Sequence, residues 1–140
     1  MKVYDYYKLD TAAMCRDYYE ARRKIKRLRK RHDEMIEEQA SDPYEPKVRT
    51  SPKQDGLEKK VIALEKVTDQ IKDLEEFVKW FDSHVMKKLE REDRKLLAAF
   101  YESGEPVAAL VIEFESAGYS ERATYREQKR LNEKIESLIG

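Results

Sequence analysis

A single cysteine, Cys15, excludes an intramolecular disulfide, so the chain suits a reducing compartment such as the cytoplasm. Only two histidines are present, His32 and His84, and neither has a cysteine or a carboxylate pair at ligand spacing, so no metal site is expected. There is no glycine-rich phosphate loop and no nucleophile placed beside a base, which argues against an enzyme and against a bound cofactor. No apolar run approaches the ~18 residues that a membrane span requires. The opening MKVYDYYKLD is too polar for a signal peptide, and the expectation is a soluble, cytoplasmic protein without a membrane partner. Glycines and prolines number four each, with Pro43, Pro46 and Pro52 crowded into one stretch, so long uninterrupted elements are expected on either side.

Charge is abundant: Asp, Glu, Lys and Arg make up 41% of the 140 residues against 40% hydrophobic, a balance that suits extended helices better than a thick core. The formal net charge is zero. Where the charges lie therefore matters more than their sum.

Met14, Tyr18, Ala21, Ile25, Leu28, His32 and Met35 follow one another at alternating spacings of four and three, which predicts a heptad helix over about 11–39 capped by Asp10 or Thr11. Residues 40–56 hold the clustered prolines and read as a loop, unusually long for a helix connector. Asp55 and Glu58 form a capping-box pattern for a second helix over about 57–88. Its stripe is Leu57, Leu64, Ile71, Val78 and Val85, with Val67, Leu74 and Phe81 at the complementary positions. The expected fold is all-α: an antiparallel helical hairpin or coiled coil in 1–88, then a three-helix module in 89–140. A homodimeric coiled coil satisfies the same stripes.

After Leu89 the seven-residue register lapses. One short helix carries Leu96, Leu97, Phe100 and Tyr101 and ends at Ser103-Gly104; the next carries Val107, Leu110, Val111 and Phe114, with Pro106 as its first residue. Gly118 is suited to the left-handed conformation that closes a helix, and Ser120 to capping the last one. In that last helix Thr124, Gln128, Leu131, Ile135 and Leu138 share one face, while Glu121, Arg122, Tyr125, Arg126, Lys129 and Arg130 share the other. A buried stripe opposite a basic, hydrogen-bonding stripe is what a DNA-reading helix needs. The candidate DNA-contacting residues are Ser120, Glu121, Arg122, Tyr125, Arg126, Lys129, Arg130 and Lys134. Arg122, Tyr125, Arg126 and Lys129 would read the groove, Glu121 would accept from cytosine, and Arg130 and Lys134 would meet phosphate.

Asp93 to Leu138 resembles region 4 of bacterial sigma factors through Arg94, Leu96, Leu97, Tyr101, Gly104, Val107, Leu110, Gly118, Tyr119, Ser120, Arg122, Tyr125, Arg126, Lys129 and Arg130. Helical first half, proline-containing middle and this ending together are similar to small phage-encoded transcriptional regulators of the ArpU/RinA type. The resemblance implies a sequence-specific double-stranded DNA-binding protein, a phage late-gene activator working at promoters with RNA polymerase. The chain departs from the pattern at Glu115, Ser116 and Ala117, which lengthen the second helix or its turn by about three residues, and at Pro106, where a serine or threonine cap is usual.

RRKIKRLRKR, Arg22 to Arg31, holds eight basic residues and no acidic one. Arg22, Arg23, Lys26, Arg27, Arg29 and Lys30 are candidate phosphate contacts; the competing account pairs them with Asp69, Asp73, Glu75 and Glu76. Tyr4, Tyr6, Tyr7, Tyr18 and Tyr19 suggest packing or a subunit contact more than base stacking. FVKWF, Phe77 to Phe81, reads as core, with Trp80 beside the seam. The alternative function is a helical adaptor that binds another protein and no DNA; it requires exposed apolar surface on the hairpin and Arg122 and Arg126 tied up internally.

Overall fold

The computed structural model describes residues 10–40 and 51–139. They form five α-helices: α1 (Thr11–Ala40), α2 (Ser51–His84), α3 (Arg91–Tyr101), α4 (Val107–Ser116) and α5 (Glu121–Ile139). A short 3₁₀ turn, Met86–Lys88, follows α2, and no strand occurs among the described residues. The chain is all-α, as its periodicity predicts. Among the described residues no helix is long and apolar enough to cross a membrane.

Asp10, not Thr11, caps α1: its Oδ1 accepts from Ala13 N at 3.0 Å. The second helix starts earlier and stops earlier than its sequence suggests. It is already helical at Ser51, so Asp55 and Glu58 lie inside it and form no N-terminal box. Ser51-Pro52 is the stronger start signal, because the proline ring presets the helical φ where no N–H partner is needed. Residues 41–50 of the expected loop lie outside the described residues, as do Tyr4, Tyr6 and Tyr7. At the far end Val85 leaves the helix and Leu89 is extended, with φ −84° and ψ 145°. Arg94 binds this exit, donating to Met86 O at 3.2 Å and Leu89 O at 2.9 Å.

The described residues pack as two compact units, 10–20 with 78–139 and 21–40 with 51–77, so Leu89 marks a change of register rather than of packing partners. In the first unit Met14, Cys15, Tyr18, Tyr19, Phe81, Val85, Leu97, Phe100, Tyr101, Leu110, Phe114, Leu131 and Ile135 are buried. Tyr18 stacks on Phe81 with ring centroids 4.2 Å apart, and its hydroxyl donates to Asp82. Phe100 stacks on Phe114 at 4.9 Å, fixing α3 against α4. Trp80 is half-buried and stacks on His84.

In the second unit higher-numbered residues of one helix oppose lower-numbered residues of the other. Arg29 pairs with Glu75 at 3.2 Å, and Arg31, Met35 and Glu38 line a groove with Lys59, Lys60 and Ala63. Ala21 and Ile25 are buried, whereas Leu28, His32, Met35, Leu64, Val67, Ile71 and Leu74 are half-buried. Two helices cover each other on one side only, so their stripe stays partly open.

Candidate nucleic-acid interface

The turn between α4 and α5 is built by local chemistry. Gly118 adopts φ +98°, a conformation that an L side chain resists. Its N–H donates to Glu115 O at 3.0 Å and that of Tyr119 to Phe114 O at 2.9 Å, the paired bonds of a Schellman motif, which satisfy carbonyls left over at the end of α4. Tyr119 then packs edge-on against Phe114, centroids 5.9 Å apart, adding the apolar contact that such a closure favours. Two residues later Ser120 Oγ accepts from Ala123 N at 3.1 Å and caps α5. At the start of α4, Pro106 is the cap rather than the first helical residue, with φ −67° and ψ 153°.

α5 packs on both α3 and α4. Thr124, Leu131 and Ile135 are fully buried, and Thr124 Oγ1 donates to Ser120 O at 2.9 Å, so this polar residue occupies the stripe without an unpaired hydroxyl. Gln128 Nε2 donates to the Tyr101 hydroxyl at 3.2 Å, which in turn donates to Asn132 Oδ1 at 3.0 Å. Burial holds the Tyr101 phenol above its ordinary range.

Arg122, Tyr125, Arg126 and Lys129 stand together on the exposed face of α5, and Ser120 and Glu121 are exposed at its start. Neither arginine forms a hydrogen bond or ion pair among the described residues. Further along the same face come Glu133 and Glu136, so its cationic part is confined to the first turns.

Arg130 and Lys134, expected to meet phosphate, form ion pairs within the chain while remaining partly exposed. Arg130 Nη2 lies 3.1 Å from Asp93 Oδ1, Lys134 Nζ lies 2.7 Å from Asp93 Oδ2, and Arg130 Nε lies 2.7 Å from Glu127 Oε2. Hydrogen bonds from Lys134 above all, and then from Arg130, hold the Asp93 carboxyl below its ordinary range. The reciprocal bonds, from Glu127 first and then Asp93, push the Arg130 guanidinium up. These two cations brace α5 against α3. Asp93 was not legible as a functional residue because its partners are 37 and 41 positions away.

On α1, Arg29 is committed to Glu75, Arg22 and Arg27 are exposed, and Arg23 is half-buried. Lys26 and Lys30 are exposed and make no ion pair among the described residues. Asp69, Asp73 and Glu76 make no ion pair among the described residues, and of the four acids named as partners for the patch Glu75 alone pairs with it among those residues. No group of three His, Cys, Asp or Glu side chains among the described residues is placed to hold a metal ion.

No family model, curated protein or solved structure matches the chain.

Proposed function

We propose that this protein is a sequence-specific double-stranded DNA-binding transcriptional regulator in which α4, the Gly118 turn and α5 act as a helix-turn-helix. The first turns of α5 enter the major groove. The observation that carries this is the exposed set Arg122, Arg126 and Lys129, without ion-pair partners among the described residues, on a helix whose opposite face is anchored by Thr124, Leu131 and Ile135. An arginine without an internal acceptor keeps its full donor fork for guanine O6 and N7 or for a phosphate. Tyr125, 42% exposed, adds an apolar and hydrogen-bonding edge between them.

The resemblance to phage regulators extends the proposal to late-gene activation alongside RNA polymerase. A single reading helix buries little surface, so a homodimer is part of the proposal, supported by the half-buried stripe of α1 and α2; sedimentation as a monomer at all concentrations refutes that part. Ile36, Val61 and Ile62 are exposed, as the helical adaptor also requires. Its second requirement, an internally paired Arg122 and Arg126, is not met.

The test is selection from a random duplex pool with sequencing, run for the full chain and for Arg122→Ala/Arg126→Ala. Each bidentate arginine contact is worth roughly 1–3 kcal/mol of base discrimination. The expected result is an enriched motif in the native protein that disappears in the double variant. Absence of a motif in the native protein refutes sequence-specific reading.

A further inference from the structure

The Arg22–Arg31 segment of α1 is not used by the groove-reading helix, and it carries the densest charge in the chain. Ala21 and Ile25 are buried and Leu28 half-buried, which leaves the rest of the helix circumference to cations. Lys26 and Lys30, one turn apart, lie opposite this apolar wedge, with Lys24 and Arg31 exposed at its edge. None of these four forms an ion pair among the described residues, although Asp69, Asp73 and Glu76 of the same compact unit are also unpaired. Arg29 pairs with Glu75, but Lys24, Lys26, Lys30 and Arg31 are therefore left without a neutralising acid among the described residues.

We infer that this face of α1 is a second, sequence-independent DNA-contacting surface that binds the phosphate backbone of duplex DNA. Three arguments select this partner. The exposed face of the segment has no apolar anchor: the residues that would insert into a bilayer, Ala21 and Ile25, are already buried in the protein. A protein partner would be held by aromatic or aliphatic anchors, and Arg22–Arg31 exposes none. The charge spacing also agrees. Ten helical residues span about 15 Å at ~1.5 Å each, a length over which one strand of a duplex presents about four phosphates at one per ~3.4 Å, as many as the four exposed cations Lys24, Lys26, Lys30 and Arg31 can meet.

This inference rests on DNA as the partner but not on α5 reading its bases, and one experiment separates the two. Binding of the full chain to a fixed duplex of arbitrary sequence is measured by fluorescence anisotropy between 50 and 200 mM salt, for the native protein and for Lys26→Gln/Lys30→Gln. Each phosphate contact contributes about 0.9 to the slope of log affinity against log salt. Loss of two contacts lowers the slope by about 1.8, so the native protein weakens roughly tenfold more than the variant across that fourfold range of salt. Both lysines are exposed, and circular dichroism checks that the variant remains helical. In the pool selection the variant is expected to retain the same motif as the native protein. An unchanged slope overturns the inference even when a motif is found. A reduced slope without any motif supports it and overturns base reading by α5. Binding to anionic phospholipid vesicles that the lysine pair controls, with an unchanged DNA slope, assigns the face to a membrane surface and also overturns it.

Discussion

Two glycines with open surroundings separate backbone strain from packing. A Cβ added to Gly118 or to Gly56 meets no atom within 4 Å, so neither substitution by alanine creates a collision. Gly118 has φ +98°, where an L residue pays about 1–2 kcal/mol; the stiffer unfolded chain returns about 0.4–1 kcal/mol. Gly118→Ala is thus expected to destabilise by about 0.5–1.5 kcal/mol. Gly56 lies within α2, where alanine is the better helix former by about 0.8–1 kcal/mol, and Gly56→Ala is expected to stabilise. Gly118→Asn should fall between Gly118→Ala and the native protein, since asparagine tolerates the left-handed region. Urea unfolding followed by circular dichroism measures all three, and an unchanged m value confirms that stability rather than the unfolded ensemble is being compared. A Gly118→Ala protein as stable as the native one would refute the strained closure of α4, and with it the account of how α5 is aimed. Opposite signs for one chemical change leave side-chain contacts no part in the explanation.

Asp93→Asn should cost about 1–2 kcal/mol at neutral pH, because the amide keeps an acceptor but loses the charge that Lys134 and Arg130 share. Since the Asp93 carboxyl is depressed in the folded state, its stabilisation is complete above its ordinary value of 3.8 and is lost as the pH falls through the lower folded value. The native and variant unfolding curves should therefore converge in acid, and a constant difference from pH 7 to pH 2 contradicts the ion pairs. Cys15 is fully buried and its thiol is pushed up to about 12, so it should resist an alkylating reagent in the native protein and react fully in denaturant; rapid native alkylation contradicts the packing around Met14 and Tyr18. Arg122→Glu/Arg126→Glu should abolish duplex binding while raising stability by roughly 0.5–1 kcal/mol: positions 122 and 126 stay like-charged, but an acid at 122 suits the helix N-terminus and one at 126 faces Lys129 and Arg130 at helical spacing. A fall in stability on urea unfolding indicates that the arginines support the fold.

What the sequence disclosed was what local rules control. Apolar spacing placed Tyr18, Ala21 and Ile25 inside, and Gly118 and Ser120 announced a closure and a cap that form with the expected residues. The errors arose where one local signal competed with another or with a distant partner. Asp55-x-x-Glu58 resembles a start, but Ser51-Pro52 precedes it and a helix once nucleated extends cheaply. Val85 continues the seven-residue register, yet the chain turns there because Met86–Lys88 tightens and Arg94 gathers the carbonyls of Met86 and Leu89. Arg130 and Lys134 are indistinguishable in sequence from Arg126 and Lys129. Only the fold, by placing Asp93 beside the first pair, assigns them to bracing.

That division of cations is also the strongest physical reason to look for an external ligand. A helix favours acids in its first turn and bases in its last, by about 0.3–1 kcal/mol each. The exposed face of α5 departs from this beyond Glu121: Arg122 lies in the first turn and Glu136 in the last. Arg122 and Arg126 are four residues apart and Arg126 and Lys129 three, each a like-charge pair costing about 0.2–0.5 kcal/mol. Where α5 uses cations for its own packing, at Arg130 and Lys134, α3 supplies the buried Asp93 carboxylate to receive them. At the first turns no carboxylate among the described residues pairs with Arg122 or Arg126. A local rule broken without an internal gain points to a function for the residues that break it, and a duplex phosphate backbone beside guanine acceptors removes both costs at once.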